Sequence, residues 1–229
     1  MTTFTEYLKT YHNRSRPFLI VGSASTLKED FTRIKRYIKD IQPVTIGINK
    51  MTDFIIPDFH LWTNNERFHN LGGCIHPLST LLLGNGLLPD VIKQHCQGKY
   101  IKVEYEKFAA PNAPMFHING HIYGFYRIAG CLAIMIAHIL KASSIHVVGF
   151  DGYTRHKPKE YEPGLDQKNQ HCYGAGHTDD YSWPNSVQKD NEIYKCLMLM
   201  KNTGIDFSII TDTIYTDVYN STILENYYD

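Results

Sequence analysis

The sequence predicts an α/β fold: a single Rossmann-like domain over residues 1–229, in which helices flank a mostly parallel central sheet. Two apolar runs, Phe18–Val21 and Ile145–Val148, each end in a glycine-containing loop. Buried parallel strands look like this where they deliver polar groups to the carboxyl edge of a sheet. The segments between such runs carry apolar residues at helical spacing. Alternating strands and helices are typical of a parallel sheet, whose ligands bind along that edge.

The individual elements follow this alternation along the chain. Residues 1–16 are predicted to form an N-terminal helix, and a second helix begins near Ser25 or Thr26 and stops before Pro43. The other strands are predicted at Val44–Ile48, Phe59–Trp62, 100–103 and 207–210, and the other helices over 127–140 and from near Ser186 through Met200, with Gly204 as the C′ residue beyond the helix end. Residues 67–88 are expected to be loop-like. The long polar stretch over residues 154–183 is expected to form a lid-like loop.

Composition limits the classes of function. The 229 residues include 23 basic and 23 acidic side chains, so no overall positive field favours nucleic acid as a partner. Five cysteines without a C-x-x-C pair argue against a disulfide scaffold and predict a reducing, cytoplasmic location. No signal peptide is recognised, and the longest apolar stretch, residues 130–140, is too short to cross a bilayer. A transmembrane segment is therefore not expected, while peripheral contact with a membrane is left open.

The loop after the first strand is the first candidate for ligand binding. Gly22-Ser23-Ala24-Ser25-Thr26 can cradle a phosphate with backbone N–H groups at a helix N-terminus, with Gly22, Ser23 and Ser25 as contacts. The loop matches neither the dinucleotide fingerprint G-x-G-x-x-G nor the Walker loop. A tight strand-to-helix turn with a hydroxyl cap explains the same residues equally well, so both interpretations stay open.

Polar residues at three further strand ends extend the candidate site. Asn49 and Asn64 each follow a strand, where an amide can hydrogen-bond a base, a ribose or a phosphate, or instead close an Asx turn. Asp151 ends the 145–148 strand in a Gly-x-Asp-x-Tyr pattern. Because the carboxyl ends of parallel strands share one edge, these side chains are expected to lie near Gly22.

The long polar loop supplies the candidates for catalysis. Tyr153 and Tyr161 flank a run of basic residues and can stabilise a departing phosphate without a metal. His177, on a glycine-flanked loop, suits a general base. A solvated basic loop with two packing aromatics and a surface histidine is the alternative interpretation. A zinc site from His171, Cys172 and His177 is not favoured, because their spacing matches no common motif, and no metal is predicted.

Taken in order, these segments resemble the bacterial lipooligosaccharide sialyltransferases, glycosyltransferase family 42, over roughly residues 17–212. The matching segments are the loop from Val21 to Lys28, Ile48-Asn49, Trp62-Thr63-Asn64, Ala129-Gly130, the run from Gly149 to Tyr153, Tyr161 and Gly176-His177. The resemblance implies an inverting, metal-independent and cofactor-free transfer of a sugar from a CMP-activated donor to a glycan acceptor, in lipopolysaccharide synthesis. Family members often assemble as oligomers, so a homo-oligomer is left open.

The resemblance also implies roles for individual residues. It makes His177 the base that removes the acceptor proton, and it makes Tyr153 and Tyr161 the donors that stabilise the leaving CMP phosphate. The implied nucleotide contacts are Gly22, Ser25, Asn49 and Asn64, and the matched positions Ser23, Gly130 and Asp151 complete the predicted substrate-binding set.

Two departures from the family pattern concern the donor more than the fold. Ala24 stands where the loop has proline, and Ile128-Ala129 stands where a Thr-Ser pair precedes Gly130. Two alternatives therefore stay open. One is a nucleotide-binding protein without transferase activity. The other is a Mg²⁺-dependent pyrophosphokinase similar to the archaeal 6-hydroxymethylpterin diphosphokinase-like proteins, which share a Gly-Pro-Ser-Leu loop and a Gly-x-Asp strand end.

Overall fold

Parallel strand pairing organises the fold. The computed structural model describes residues 1–11, 15–110, 112–156 and 182–227. The strands are β1 (Thr2–Thr3), β2 (Phe18–Val21), β3 (Val44–Ile48), β4 (Phe59–Trp62), β5 (Thr80–Gly84), β6 (Ile101–Val103), β7 (Tyr105–Lys107), β8 (Phe116–Ile118), β9 (His121–Gly124), β10 (Ile145–Val148) and β11 (Ser208–Ile209). The helices are α1 (Phe4–Thr10), α2 (Thr26–Glu29), α3 (Phe31–Ile41), α4 (Asn65–Leu71), α5 (Pro89–His95), α6 (Ala129–Ile139), α7 (Trp183–Asn202) and α8 (Thr222–Glu225). Short 3₁₀ turns lie at Gly72–Cys74, Thr154–His156 and Thr216–Val218.

Eight of these strands form one sheet in the order β1-β6-β5-β4-β3-β2-β10-β11, and each neighbouring pair in it is parallel. The prediction of a mostly parallel central sheet flanked by helices is therefore confirmed. From β2 the chain adds β3 to β6 on one side, whereas β10 and β11 lie on the other. The strand order thus reverses beside β2, and open α/β sheets bind their ligands in the crevice at such a reversal.

The residues of β2 explain why the sheet is covered on both faces. Phe18 and Ile20 pack into the cluster that contains the apolar residues of α6, whereas Leu19 and Val21 pack with Ile34 of α3. Alternate side chains of a strand point to opposite faces, so a central strand between two helical layers is apolar throughout. Helix α6 is buried at nine of its eleven residues, which explains why its sequence is apolar apart from the exposed His138.

A second sheet of three strands comes directly after β6 in the sequence. In it, β7 pairs in parallel with β9, and β8 pairs with β9 antiparallel. The sequence analysis did not predict this sheet. Strand β7 and residues 125–128, which join β9 to α6, supply one wall of the cavity described below.

The prediction that residues 67–88 form a loop is wrong. The segment contains most of α4, a 3₁₀ turn and the fully paired strand β5. Leu81 and Leu83 of β5 pack with Trp62 and Phe68, whereas Leu82 enters the cluster on the other face. Burial on both faces of a sheet decided the structure here, although the flanking glycines indicated a loop.

The N-terminal helix is shorter than predicted. Strand β1 comes first, and Thr3 then caps α1 through a reciprocal pair of hydrogen bonds with Glu6, the capping-box arrangement. The helix predicted to begin near Ser25 is divided at Asp30 into α2 and α3.

Four further elements differ from the prediction by one to three residues at a bound, and one prediction cannot be compared. The strand predicted at 100–103 begins at Ile101, the last strand is Ser208–Ile209, α6 covers Ala129–Ile139 instead of 127–140, and α7 begins at Trp183. The lid-like loop predicted over residues 154–183 lies mostly outside the described residues. Within the parts of the chain that the structure describes, no helix combines the length and hydrophobicity needed to cross a lipid bilayer.

Candidate functional site

A cavity of about 470 Å³ opens at the carboxyl ends of β2, β3, β4 and β10, a volume usual for small-molecule sites. The loops after these strands line it together with β7, the N-terminus of α6 and the inner face of α7. The predicted residues that line it are Gly22, Ser23, Asn49, Asn64, Gly130, Asp151 and Tyr153. Ser25 is not a lining residue, and Tyr161 and His177 lie outside the described residues.

Glycines let the loops after β2 and β10 touch backbone to backbone. A Cβ atom on Gly22 would lie 2.4 Å from the carbonyl oxygen of Gly149. Gly149 itself has a φ of +70°, and a Cβ there would lie 2.8 Å from the carbonyl oxygen of Gly22. The N–H of Ala24 donates to the same Gly149 carbonyl at 3.2 Å. Only glycine combines this approach with this backbone conformation, so the two loops form one rigid floor.

The Asp151 carboxylate holds the β2 loop in place. Asp151 is buried and accepts hydrogen bonds from the Thr26 N–H at 3.0 Å, from the Thr26 hydroxyl and from the Ser25 hydroxyl at 3.3 Å. Ser25 makes no side-chain cap bond to its own helix, so a carboxylate from another strand satisfies the first turn of α2. Ser25 and Asp151 are thus hydrogen-bonded to each other and join the loop after β10 to the start of α2. Direct contact of either residue with a substrate stays a prediction.

Asn49 offers an acceptor to a ligand. The residue is 8% exposed, adopts a left-handed φ of +57°, and lines the cavity. Its side-chain oxygen Oδ1 is buried and has no hydrogen-bond partner among the described residues. Buried polar atoms are nearly always paired, so this oxygen indicates a place for a donor group of a ligand.

His60 of β4 fixes the backbone of Asn49. Its Nε2 lies 2.6 Å from the Asn49 carbonyl oxygen, and because a carbonyl only accepts, Nε2 carries the proton. Burial lowers the pKa of His60 to about 4, although the hydrogen bond to Asn49 acts in the opposite direction. The ring is therefore neutral near pH 7, and it holds Asn49 in the left-handed conformation that turns the chain at the cavity rim.

Asn64 acts as a helix cap. Its side-chain oxygen accepts from the N–H of Arg67 at 2.9 Å and begins α4, which is the Asx-type alternative raised by the sequence. The residue is exposed and lines the cavity, so its amide NH₂ is what it presents to a ligand. Its part in binding stays a prediction.

Gly130 provides space for a neighbouring ring. A Cβ atom at Gly130 would lie 1.7 Å from Cζ of Phe150, so a larger residue there would force the Phe150 ring to move, whether or not Gly130 touches a ligand. Ile128, Ala129 and Gly130 all line the cavity, and Ile128 gives α6 no side-chain cap bond. The positive end of the helix dipole therefore meets the cavity and favours an anionic ligand.

Tyr153 is held by a buried carboxylate on α7. Asp190 accepts from the N–H groups of Tyr153 and Thr154, each at 2.8 Å, and from the Thr154 hydroxyl at 2.7 Å. The hydroxyl of Tyr215 donates to it at 2.9 Å, and burial together with this carboxylate raises the pKa of Tyr215 well above its usual value. Asp190 is thus the anchor of the loop that follows β10.

Positive charge dominates the cavity wall, which the sequence analysis did not foresee. Among the described lining residues, Arg67, Lys107, Arg127 and Lys189 are cationic, and Asp151 supplies the one carboxylate. Glu192 pairs with Arg127 at 2.6 Å from beside the cavity. The described lining residues therefore include more cations than carboxylates, in a chain of zero formal net charge, and this distribution favours an anionic ligand.

Tyr126 is a second functional candidate that sequence reasoning missed. It is 8% exposed, lines the cavity, and its hydroxyl has no partner among the described residues. The ring packs edge-on against Tyr105 at 5.3 Å between centroids. The available signal was weak, because Tyr126 follows a small sheet whose short strands lack a clear hydrophobic pattern. Lys189 had a better signal, since it lies on the same face of α7 as the apolar residues Ile193, Leu197 and Met200.

Comparison with known proteins adds one structural similarity and no family. No protein-family model matches the chain, and no curated protein matches it. Among solved structures, the chain is similar to a mammalian sialyltransferase in complex with Gal-β-1,3-GalNAc-ortho-nitrophenol, with 10% sequence identity and a TM-score of 0.48, over 93% of this chain and 74% of that one. Similarity at this level establishes neither a family nor an activity for this chain.

Proposed function

We propose that the chain is a glycosyltransferase that moves a sugar from a CMP-activated donor to a hydroxyl of a glycan acceptor, with inversion and without a metal. The observation that carries the proposal is the cavity at the strand-order reversal, whose described lining has more cations than carboxylates and where the buried Oδ1 of Asn49 has no hydrogen-bond partner among the described residues. A nucleotide presents both a phosphate and donor groups on its base and ribose, so it matches both features.

The charge balance suits the reaction as well as the binding. A CMP-activated sugar carries one negative charge on its phosphate, and CMP leaves with a second. The lining cations and the N-terminus of α6 are fixed in advance, so they stabilise the charge that grows as the bond breaks.

The residues assigned to the chemistry come from the sequence pattern. In the proposal, His177 takes the acceptor proton, and Tyr153 and Tyr161 donate to the leaving phosphate. Tyr153 lies at the cavity, on a loop pinned by Asp190. Tyr161 and His177 lie outside the described residues, so their roles rest on the pattern alone.

One observation favours a second candidate, a nucleotide-binding protein without transferase activity. Ile128 and Ala129 place apolar side chains at the start of α6, where they line the cavity, and neither can hydrogen-bond a donor sugar. A Mg²⁺-dependent pyrophosphokinase is the third candidate, and it differs from the others in needing Mg²⁺ for turnover.

The test combines binding with turnover. Calorimetry with CMP, AMP and GMP measures base preference, and release of CMP from CMP-sialic acid, with and without Mg²⁺, measures activity. We expect CMP to bind most tightly and turnover to be independent of Mg²⁺. His177→Ala should lower turnover by about 10²- to 10⁴-fold, whereas His69→Ala, an exposed histidine outside the cavity, should leave it unchanged. Tight CMP binding without turnover supports the second candidate, and equal turnover in both variants removes the assigned base.

A further inference from the structure

One wall of the cavity comes from the second sheet and has no part in the nucleotide contacts of the proposed function. Tyr105 and Lys107 of β7 line the cavity there together with Tyr126, which follows β9. The nucleotide contacts, among them Asn49 and Asn64, belong instead to the loops that follow strands of the central sheet. The wall from the second sheet is therefore available to another part of the ligand.

Tyr126 carries a buried hydroxyl on this wall. The residue is 8% exposed, and among the residues that the structure describes its hydroxyl has no hydrogen-bond partner. A buried polar group without a partner costs free energy, and phenylalanine would pack the same ring without that cost. Burial also raises the pKa of Tyr126, so near neutral pH the hydroxyl keeps its proton and can both donate and accept. Folding alone thus does not explain why a hydroxyl stands here.

The ring of Tyr126 is held in place by its neighbours. The Tyr105 ring packs edge-on against it at 5.3 Å between centroids, and Nζ of Lys107 lies 6.0 Å from the centroid of the Tyr126 ring. The preceding carbonyl, that of Phe125, accepts a hydrogen bond from the thiol of Cys196 on α7 at 3.3 Å. Since ring and backbone are both fixed before a ligand arrives, binding needs little further ordering of this side chain.

We propose that the hydroxyl of Tyr126 hydrogen-bonds the sugar of the donor and contributes to the choice of that sugar. This inference rests on the proposed function. A sugar presents several oxygens that can accept a hydrogen bond from the phenol, and hydroxyls that can donate to it. A donor whose sugar lacks the matching group leaves the Tyr126 hydroxyl buried and unpaired, and sites built in this way discriminate strongly against such ligands.

The first experiment compares CMP with CMP-sialic acid, which adds the sugar. Calorimetry on the full chain, without an acceptor, measures both dissociation constants for the wild type and for Tyr126→Phe. We expect the dissociation constant of CMP-sialic acid to rise by about 3- to 10-fold, as for one lost hydrogen bond, and that of CMP to stay within about twofold.

Tyr37 provides the matched control. It is also a buried tyrosine, but its hydroxyl lies 2.6 Å from Nδ1 of His146 and it is not among the residues that line the cavity. Tyr37→Phe should therefore bind both ligands as the wild type does.

Urea denaturation of the free protein separates binding from a structural role. Tyr126→Phe removes an unpaired buried group, so its midpoint should equal or exceed that of the wild type. Tyr37→Phe removes a paired hydroxyl and should have a lower midpoint. A lower midpoint for Tyr126→Phe, or its failure to fold, would overturn the inference, because the hydroxyl would then already be satisfied in the absence of a ligand.

The binding outcomes distinguish this inference from the proposed function. Equal weakening of CMP and CMP-sialic acid in Tyr126→Phe, or no change in either, would overturn the contact with the sugar and leave the proposed function standing. A wild type that binds CMP but not CMP-sialic acid would likewise overturn only the contact. A wild type that binds neither ligand would overturn the proposed function, and this inference with it.

Discussion

Acidification is expected to destabilise the fold through His60. Its ring is buried in β4 and its Nε2–H is bonded to the Asn49 carbonyl, and burial lowers its pKa to about 4. The unfolded chain has an ordinary histidine pKa of about 6.5. Above pH 6.5 neither state binds the proton, so the contribution to stability is fully present. As the pH falls from 6.5 towards 4, only the unfolded state binds it, and the folded state loses stability.

The magnitude follows from the two pKa values. The full loss, reached below pH 4, is about 3 kcal/mol, and at pH 5 it is already about 2 kcal/mol. The assay is urea denaturation at pH 7.5 and pH 5.0, with the wild type compared with His60→Gln, which cannot titrate. Burial also lowers the pKa of His146, but that effect is common to both proteins and cancels in the comparison.

We therefore expect the wild type to lose about 2 kcal/mol more than His60→Gln between these pH values. His69→Gln, at an exposed position, should show the same pH dependence as the wild type. Parallel curves for the wild type and His60→Gln would refute the reasoning, because they would mean that protonation of the buried ring costs nothing.

Two further substitutions test how the cavity is built. Gly130→Ala places a Cβ 1.7 Å from Phe150 Cζ, so it should lower the free energy of unfolding by about 1–3 kcal/mol. The control is Gly98→Ala, where a Cβ meets nothing within 4 Å and no such loss is expected. Equal stabilities of the two variants in urea denaturation would contradict the packing role of Gly130. Asp190→Asn replaces a carboxylate that accepts four hydrogen bonds and should cost about 1.5–3 kcal/mol. Asp206→Asn, at an exposed ion pair, should cost less than about 1 kcal/mol in the same assay, and a reversal of that order would refute the anchoring role.

The central strands could be predicted because their own residues determine them. The bounds observed for β2, β3, β4 and β10 are those that the sequence indicates. Each is a short, largely apolar run that is followed by a glycine, an asparagine or a threonine. Burial on both faces of the sheet favours such apolar runs. The same pattern predicted that ligands bind at the carboxyl edge of the sheet, where the cavity lies.

Other elements depend on contacts that are distant in the sequence. Strand β5 was missed because the glycines around it resemble a loop, while its leucines are fixed by packing against Trp62 and Phe68. Strands β7 to β9 have three or four residues each, and Phe116–Ile118 is exposed throughout, so their hydrophobic patterns are too short to predict them.

The candidate site was predicted in its location and only partly in its chemistry. Asn49 follows a strand end, which the sequence shows directly. The capping of α2 by Asp151 joins segments 125 residues apart, and the contact of Lys189 with Tyr153 joins α7 to the loop after β10. Such pairs are set by tertiary packing, and local sequence patterns do not contain them.

The most direct test is a crystal structure of the full chain with CMP. The account predicts that the nucleotide occupies the cavity at the reversal of strand order, with a donor group of its nucleoside on Oδ1 of Asn49 and its phosphate beside Tyr153. A nucleotide bound elsewhere on the molecule, or one in the cavity that leaves Oδ1 of Asn49 unpaired, would contradict it.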